Sequence, residues 1–188
     1  VISENINLQN IDNIDLLKKF LLSKNFISDS NTVFYEGSIK ADLMVIGDKP
    51  DDIMVKNRRP FHGELEKLLE AMLKAIGFDK RNTYYTNLRC NPKKIDTNLD
   101  LELEIIKKQI LIVEPKIIIM FGAETTRLLT NNEDSIFKSR GHWYDINIDD
   151  NLEPVLGISM FHPRYILAHP ESKKETWKDL KEVRSKFT

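Results

Sequence analysis

A chain of 188 residues, 41% hydrophobic and 30% charged, is long enough to bury a sizeable core. Its net charge of −1 excludes a global basic field, so a nucleic-acid ligand needs a local basic surface. The single cysteine, Cys90, excludes an internal disulfide, a cysteine-rich zinc site and a four-cysteine iron–sulfur cluster, and it fits a reducing, cytoplasmic setting. No apolar stretch approaches membrane-spanning length, and the polar, acidic first ten residues lack the pattern of a secretory signal.

In chain order, Leu8, Ile11, Ile14, Leu17 and Leu21 recur at roughly helical spacing and predict an N-terminal helix within 8–25. A mixed stretch follows, with a short strand expected at Thr32 to Tyr35. Ala41 to Ile46 reads as the first core strand, stopped by Gly47 and followed by Asp48 and Pro50. Pro60-Phe61 places a ring on a stiff loop. Glu64 to Ile76 is amphipathic and helical, with Leu65, Leu68, Leu69, Met72, Leu73 and Ile76 on one face.

Asn82 to Thr86 predicts the second strand, ending at Asn87. Leu99 to Val113 is the next helix, stopped by Pro115. Lys116 to Phe121 is a buried, parallel-type strand ending at Gly122. A helix begins at Ala123, and a basic, aromatic connection runs from Phe137 to Trp143. Pro154 to Met160 is a fourth strand, followed directly by His162, and a charged helix closes the chain over Glu171 to Phe187. The alternation predicts an α/β fold of three layers, αβα, around a mostly parallel four-stranded sheet. It is read as a single domain over 1–188, with 1–30 as a helical extension.

Right-handed crossovers bring the strand ends to one edge, where open α/β sheets bind ligands. Asp48, Asn87 and His162 each follow a strand end, so an acid, an amide and an imidazole converge there.

These segments resemble the uracil-DNA glycosylase superfamily, closest to family 4. Gly47-Asp48-Lys49-Pro50-Asp51 matches its Gly-Glu-Ala-Pro-Gly motif, with Asp in place of Glu. Arg59-Pro60-Phe61-His62-Gly63 and Tyr84-Tyr85-Thr86-Asn87 match the next two motifs. Arg140-Gly141, His162-Pro163-Arg164-Tyr165-Ile166-Leu167 and Trp177-Lys178-Asp179-Leu180 follow in the family's order. The resemblance spans about residues 30 to 187. Typical family 4 members hold a four-cysteine [4Fe–4S] cluster; this chain keeps only Cys90 of those ligands. Arg89 to Lys93 resembles a trimmed form of the Trp-Arg-Pro-Pro segment of relatives without cysteines.

The resemblance implies a DNA repair glycosylase that flips uracil from single- or double-stranded DNA and hydrolyses its N-glycosidic bond. Asp48 would orient water and His162 would stabilise the leaving base. Gly47, Phe61 and Asn87 would bind uracil. Arg58, Arg59, Lys93, Lys94, Arg140 and Arg164 would contact the DNA backbone. The stretch Arg164-Tyr165-Ile166-Leu167 would wedge into the duplex. It further implies a monomer that needs no metal or organic cofactor. Two other classes stay open: a DNA-binding member of the fold without catalysis, and a small nucleotide-binding α/β protein. The absence of a glycine-rich phosphate loop counts against the second.

Overall fold

The computed structural model describes residues 8, 10–30, 32–91 and 99–187. Four short, apolar strands form the centre of the fold. They are β2 (Leu43–Gly47), β3 (Thr83–Asn87), β4 (Ile117–Phe121) and β6 (Val155–Met160). All four run parallel, and β1 (Glu36–Gly37) and β5 (Trp143–Ile146) close the two edges antiparallel. The order is β1-β3-β2-β4-β6-β5. The expected four-stranded sheet is therefore the parallel core of a six-stranded one. The short strand expected at 32–35 does not form; the two-residue β1 begins directly after it, and β5 falls partly within the basic connection.

β2, β3 and β4 are buried along their whole length, as the unbroken apolar runs of β2 and β4 require of a sheet covered on both faces. Alternation sorts their side chains into two cores. Met44, Ile46, Tyr84, Ile118 and Met120 pack on one face with α1 (Ile14–Ser23) and α4 (Leu99–Val113). Leu43, Val45, Tyr85, Ile119 and Phe121 pack on the other. There they meet α3 (Glu64–Lys74), α7 (Pro163–Ala168) and α8 (Lys173–Ser185). The N-terminal helix starts at Ile14 because Asn13 caps it, accepting from the N–H groups of Asp15 and Leu16. Ile14, Leu17 and Leu21 then join the core.

Gly157 in β6 lets the sheet close at its far side. A Cβ there would collide with Cδ1 of Ile146 and crowd Cε of Met120. Three further helices are short: α2 (Asp52–Asn57), α5 (Ala123–Thr130) and α6 (Ile136–Ser139). α2 starts where the sequence shows only a polar stretch, because Asp51 accepts from Met54 N–H at 2.8 Å and caps it. After β2 the chain steps to β3 on one side, then crosses by way of α4 to β4 on the other. The sheet's switch point thus lies between β2 and β4, and both strands end there in glycine-containing turns, at Gly47 and Gly122.

Candidate active site

Register brings the strand ends level: Gly47 pairs with Asn87, Ile46 with Met120, and Phe121 with Met160. Asp48, Asn87 and His162 therefore share one edge of the sheet. The Gly47 carbonyl is fixed from two sides, accepting from Leu88 N–H at 2.8 Å and from the Thr125 hydroxyl at 3.2 Å. Thr125 is fully buried and ties α5 to this turn. Nothing in its sequence context marks it, since a threonine in the first turn of a helix is unremarked.

Gly47 also stands where no side chain fits. A Cβ there would overlap Oδ1 of Asn87 and sit 3.1 Å from Cζ of Phe61. The backbone thus forms the floor between the amide and the ring. Asn87 is 1% exposed, and its Nδ2 donates to the Pro60 carbonyl at 3.1 Å. That bond fixes which way the amide points. Phe61 is held edge-on by Tyr85 and Phe121, with centroids 6.4 and 6.3 Å away, and lies tilted 34° to the His162 ring at 6.2 Å.

His162 caps α7, with Pro163 in the first helical position. Its Nδ1 accepts from Arg164 N–H at 3.0 Å, which leaves the ring proton on Nε2. Nε2 faces Oδ1 of Asp48 at 3.4 Å, longer than an ordinary N–H···O bond. Oδ1 also accepts from Lys49 N–H at 2.7 Å and from Nη1 of Arg164 at 3.2 Å. Burial raises the Asp48 carboxyl, but His162, the Lys49 N–H and the Arg164 charge outweigh it and hold the group at about 2, below its usual 3.8. The site therefore keeps an ionised carboxylate beside an imidazole donor and an apolar ring. That combination suits stabilising a developing cation on one side of a bond and an oxyanion on the other.

The cations expected on a DNA backbone occupy different places. Arg59 pairs with Glu36 at 2.8 Å and Glu66 at 2.7 Å. Arg140 pairs with buried Asp179. Both guanidiniums brace the protein internally. Arg164 turns inward to Asp48 and Asp51. Arg58 is largely exposed and pairs with Asp29 at 3.1 Å. Lys93 and Lys94 lie outside the described residues.

The expected wedge is also corrected. Residues 164–167 form helix α7, and Ile166 is 0% exposed within the core that contains Leu73 and Val183. In this arrangement Ile166 faces the core and not the surface. Tyr165 stacks on His169 at 4.2 Å and lies tilted against Phe161 at 4.7 Å. Leu167 is 40% exposed. Phe137 on α6, 65% exposed and edge-on to Phe161 and Tyr165, was not singled out by the sequence. It lies in a four-residue helix with no period to read.

The family model described as the uracil DNA glycosylase superfamily matches residues 34–181, most of the chain, including Asp48, Phe61, Asn87 and His162. The chain belongs to the uracil-DNA glycosylase superfamily. It is 30% identical to the type-4 uracil-DNA glycosylase of Sulfurisphaera tokodaii, with 93% of this chain and 84% of that protein aligned. The type-4 uracil-DNA glycosylase of Saccharolobus solfataricus is also 30% identical, over 93% and 86% of the two chains. That of Archaeoglobus fulgidus is 26% identical over 78% and 77%.

Within this superfamily, the four-thiolate iron–sulfur cluster does not fit the present chain. Cys90 is its single cysteine, and burial pushes the thiol up, away from the thiolate that iron ligation needs. Its N–H instead donates to Glu102 at 3.4 Å, and its carbonyl accepts from Val33 N–H at 3.0 Å. The residue packs in the core with Leu88 and Ile106. Among the described residues no three His, Cys, Asp or Glu side chains form a metal-binding group.

Proposed function

We propose that this protein removes uracil from DNA by hydrolysing the N-glycosidic bond, as the names of its relatives describe for them. The observation that carries the reading is the Asp48–His162 pair set against Phe61 and Asn87 at the sheet's switch point.

Uracil stacked in a helix exposes neither its edge nor its glycosidic bond to side chains at the foot of a pocket, so the nucleotide must leave the stack. Phe61 offers the base a face to stack on. Asn87 offers one acceptor and one donor, matching the N3–H donor and O4 acceptor of uracil. Cytosine presents the reverse pair and leaves both amide groups opposed. As the bond breaks, positive charge grows on the sugar and negative charge on O2 of the base. The Asp48 carboxylate stabilises the first and orients the attacking water. The Nε2 proton of His162 is held only loosely by Asp48 and is available to the second. A preorganised donor of this kind contributes about 2.7–4 kcal/mol.

With Ile166 in the core, Leu167 and Phe137 are the exposed apolar groups beside α7 that can fill a gap in the DNA stack. Arg58 and Lys93 remain as backbone contacts. The test is an end-labelled oligonucleotide with one uracil, incubated with the protein in chelator and then cleaved by alkali. Strand scission at the uracil is expected. No scission at stoichiometric protein would overturn the reading and leave a DNA-binding member of the fold.

A further inference from the structure

Arg164 occupies an unusual position for a cation beside a DNA-facing site. Its guanidinium spans the gap between α7 and the turn after β2. Nη1 lies 3.2 Å from Oδ1 of Asp48. Nη2 lies 3.4 Å from the Lys49 carbonyl, 3.5 Å from Oδ2 of Asp51 and 3.8 Å from Sδ of Met54. Asp51 is itself fixed, because its other oxygen caps α2. The arginine's own backbone N–H, in turn, holds Nδ1 of His162. One residue therefore reaches both members of the acid–imidazole pair, the acid through its side chain and the imidazole through its main chain.

The distribution of contacts on Asp48 is one-sided. Lys49 N–H, Arg164 and His162 all address Oδ1. No hydrogen bond to Oδ2 occurs among the described residues, and the side chain is 30% exposed. A carboxylate gripped by one oxygen can still swing about its terminal torsion, which is broad. Donors arriving from the next residue and from α7 remove that freedom.

We infer that Arg164 is a positioning residue for Asp48: it anchors Oδ1 and so presents Oδ2 to the attacking water. This inference rests on the uracil-excision reading above. It reassigns Arg164 from the DNA backbone to the acid, and it gives Asp51 a role, as the group that keeps the guanidinium from leaving toward solvent or phosphate. The titratable and charged groups around Asp48 are His162 and Arg164 at α7, Lys49 next along the chain and Asp51 at the start of α2. Arg89, whose N–H donates to the Asp48 carbonyl, pairs its guanidinium with Glu124. Arg164 is thus the cation in direct contact with the carboxylate.

The experiment compares wild type, Arg164→Ala and Arg164→Lys in three readouts. These are single-turnover excision at saturating protein between pH 3.5 and 8, titration of an uncleavable uracil-analogue oligonucleotide, and the carbon-13 titration of the Asp48 carboxyl. Arg164→Ala is expected to slow the saturating rate by about tenfold to a hundredfold, the cost of a misplaced group. Its acid limb and the Asp48 titration midpoint should both move up toward the ordinary carboxylate range. Affinity should change little, and Arg164→Lys should recover part of the limb. If Arg164→Ala keeps the saturating rate and the Asp48 midpoint but binds DNA more weakly, with a salt slope smaller by about one, Arg164 is a phosphate contact and the inference is overturned. If wild type excises no uracil yet the Asp48 midpoint moves in Arg164→Ala, the functional reading falls while the grip on Asp48 stands.

Discussion

Gly47 sets how closely the amide, the ring and the backbone can approach. A methyl at this position must displace Asn87 or Phe61, and neither is free: one is bonded to Pro60, the other wedged between Tyr85 and Phe121. Gly47→Ala should therefore cut single-turnover excision about a hundredfold, by displacing the base-reading groups. An unchanged rate would mean that uracil does not sit against this floor. Asn87→Asp replaces a donor with an acceptor and should shift preference from uracil toward cytosine, measured by excision from paired oligonucleotides differing in that base. Asp48 makes a claim about stability as well. Its folded value of about 2 lies below the ordinary 3.8, so its contribution is fully present above about pH 4 and is lost as pH falls toward 2. Thermal melts should show wild type losing more stability over that window than Asp48→Asn, and parallel losses would contradict it. Asp48 and Asn87 were legible in the sequence because each lies at a strand end that the sequence pattern locates. Gly47 was legible as a turn, but its role as a pocket floor needs the register that places Asn87 opposite it.

Helix α7 shows where sequence reading fails at the scale of an element. Six residues beginning with a proline carry too little periodicity to distinguish a loop from a helix, so Ile166 and Leu167 look equivalent in the sequence. In the fold Ile166 is buried and Leu167 is 40% exposed. Ile166→Ala should destabilise the protein by about 2–5 kcal/mol, read by denaturant unfolding, as for other deletions in a packed core. Leu167→Ala should leave stability nearly unchanged and weaken binding to duplex DNA by about tenfold, the worth of one buried leucine. The reverse pattern would put the wedge back at Ile166. Long elements fared better. α4 was read with its observed ends, and β4 to within one residue, because fifteen residues of helical period and an unbroken Ile-Ile-Ile run leave few alternatives. The edge strands β1 and β5 were missed because half-exposed strands of two and four residues carry no pattern of their own.

For the whole molecule, three of the arginines expected on DNA hold the fold together instead. The net charge is −1, and Arg59, Arg140 and Arg164 are all committed to carboxylates. The arginines were legible as cations but not as braces, since Glu36 and Asp179 lie 23 and 39 residues from their partners in sequence. With these three held by carboxylates and not by phosphate, the logarithm of DNA affinity should fall against that of salt with a slope shallower than about −4. A steeper slope would show that the internal pairs open on binding. Asp179→Asn leaves Arg140 without its buried counter-charge and should cost about 3 kcal/mol in unfolding free energy, with the uracil pocket untouched. The central claim is that Asp48 and His162 break a glycosidic bond in a pocket that Asn87 and Phe61 shape for uracil. Its most direct test is single-turnover excision by wild type and His162→Ala, beside a binding titration with an uncleavable uracil analogue in DNA. The structure predicts excision by wild type, a loss of about a hundredfold or more in His162→Ala, and nearly equal affinity. An affinity that falls as far as the rate, or a rate that does not fall, would contradict it.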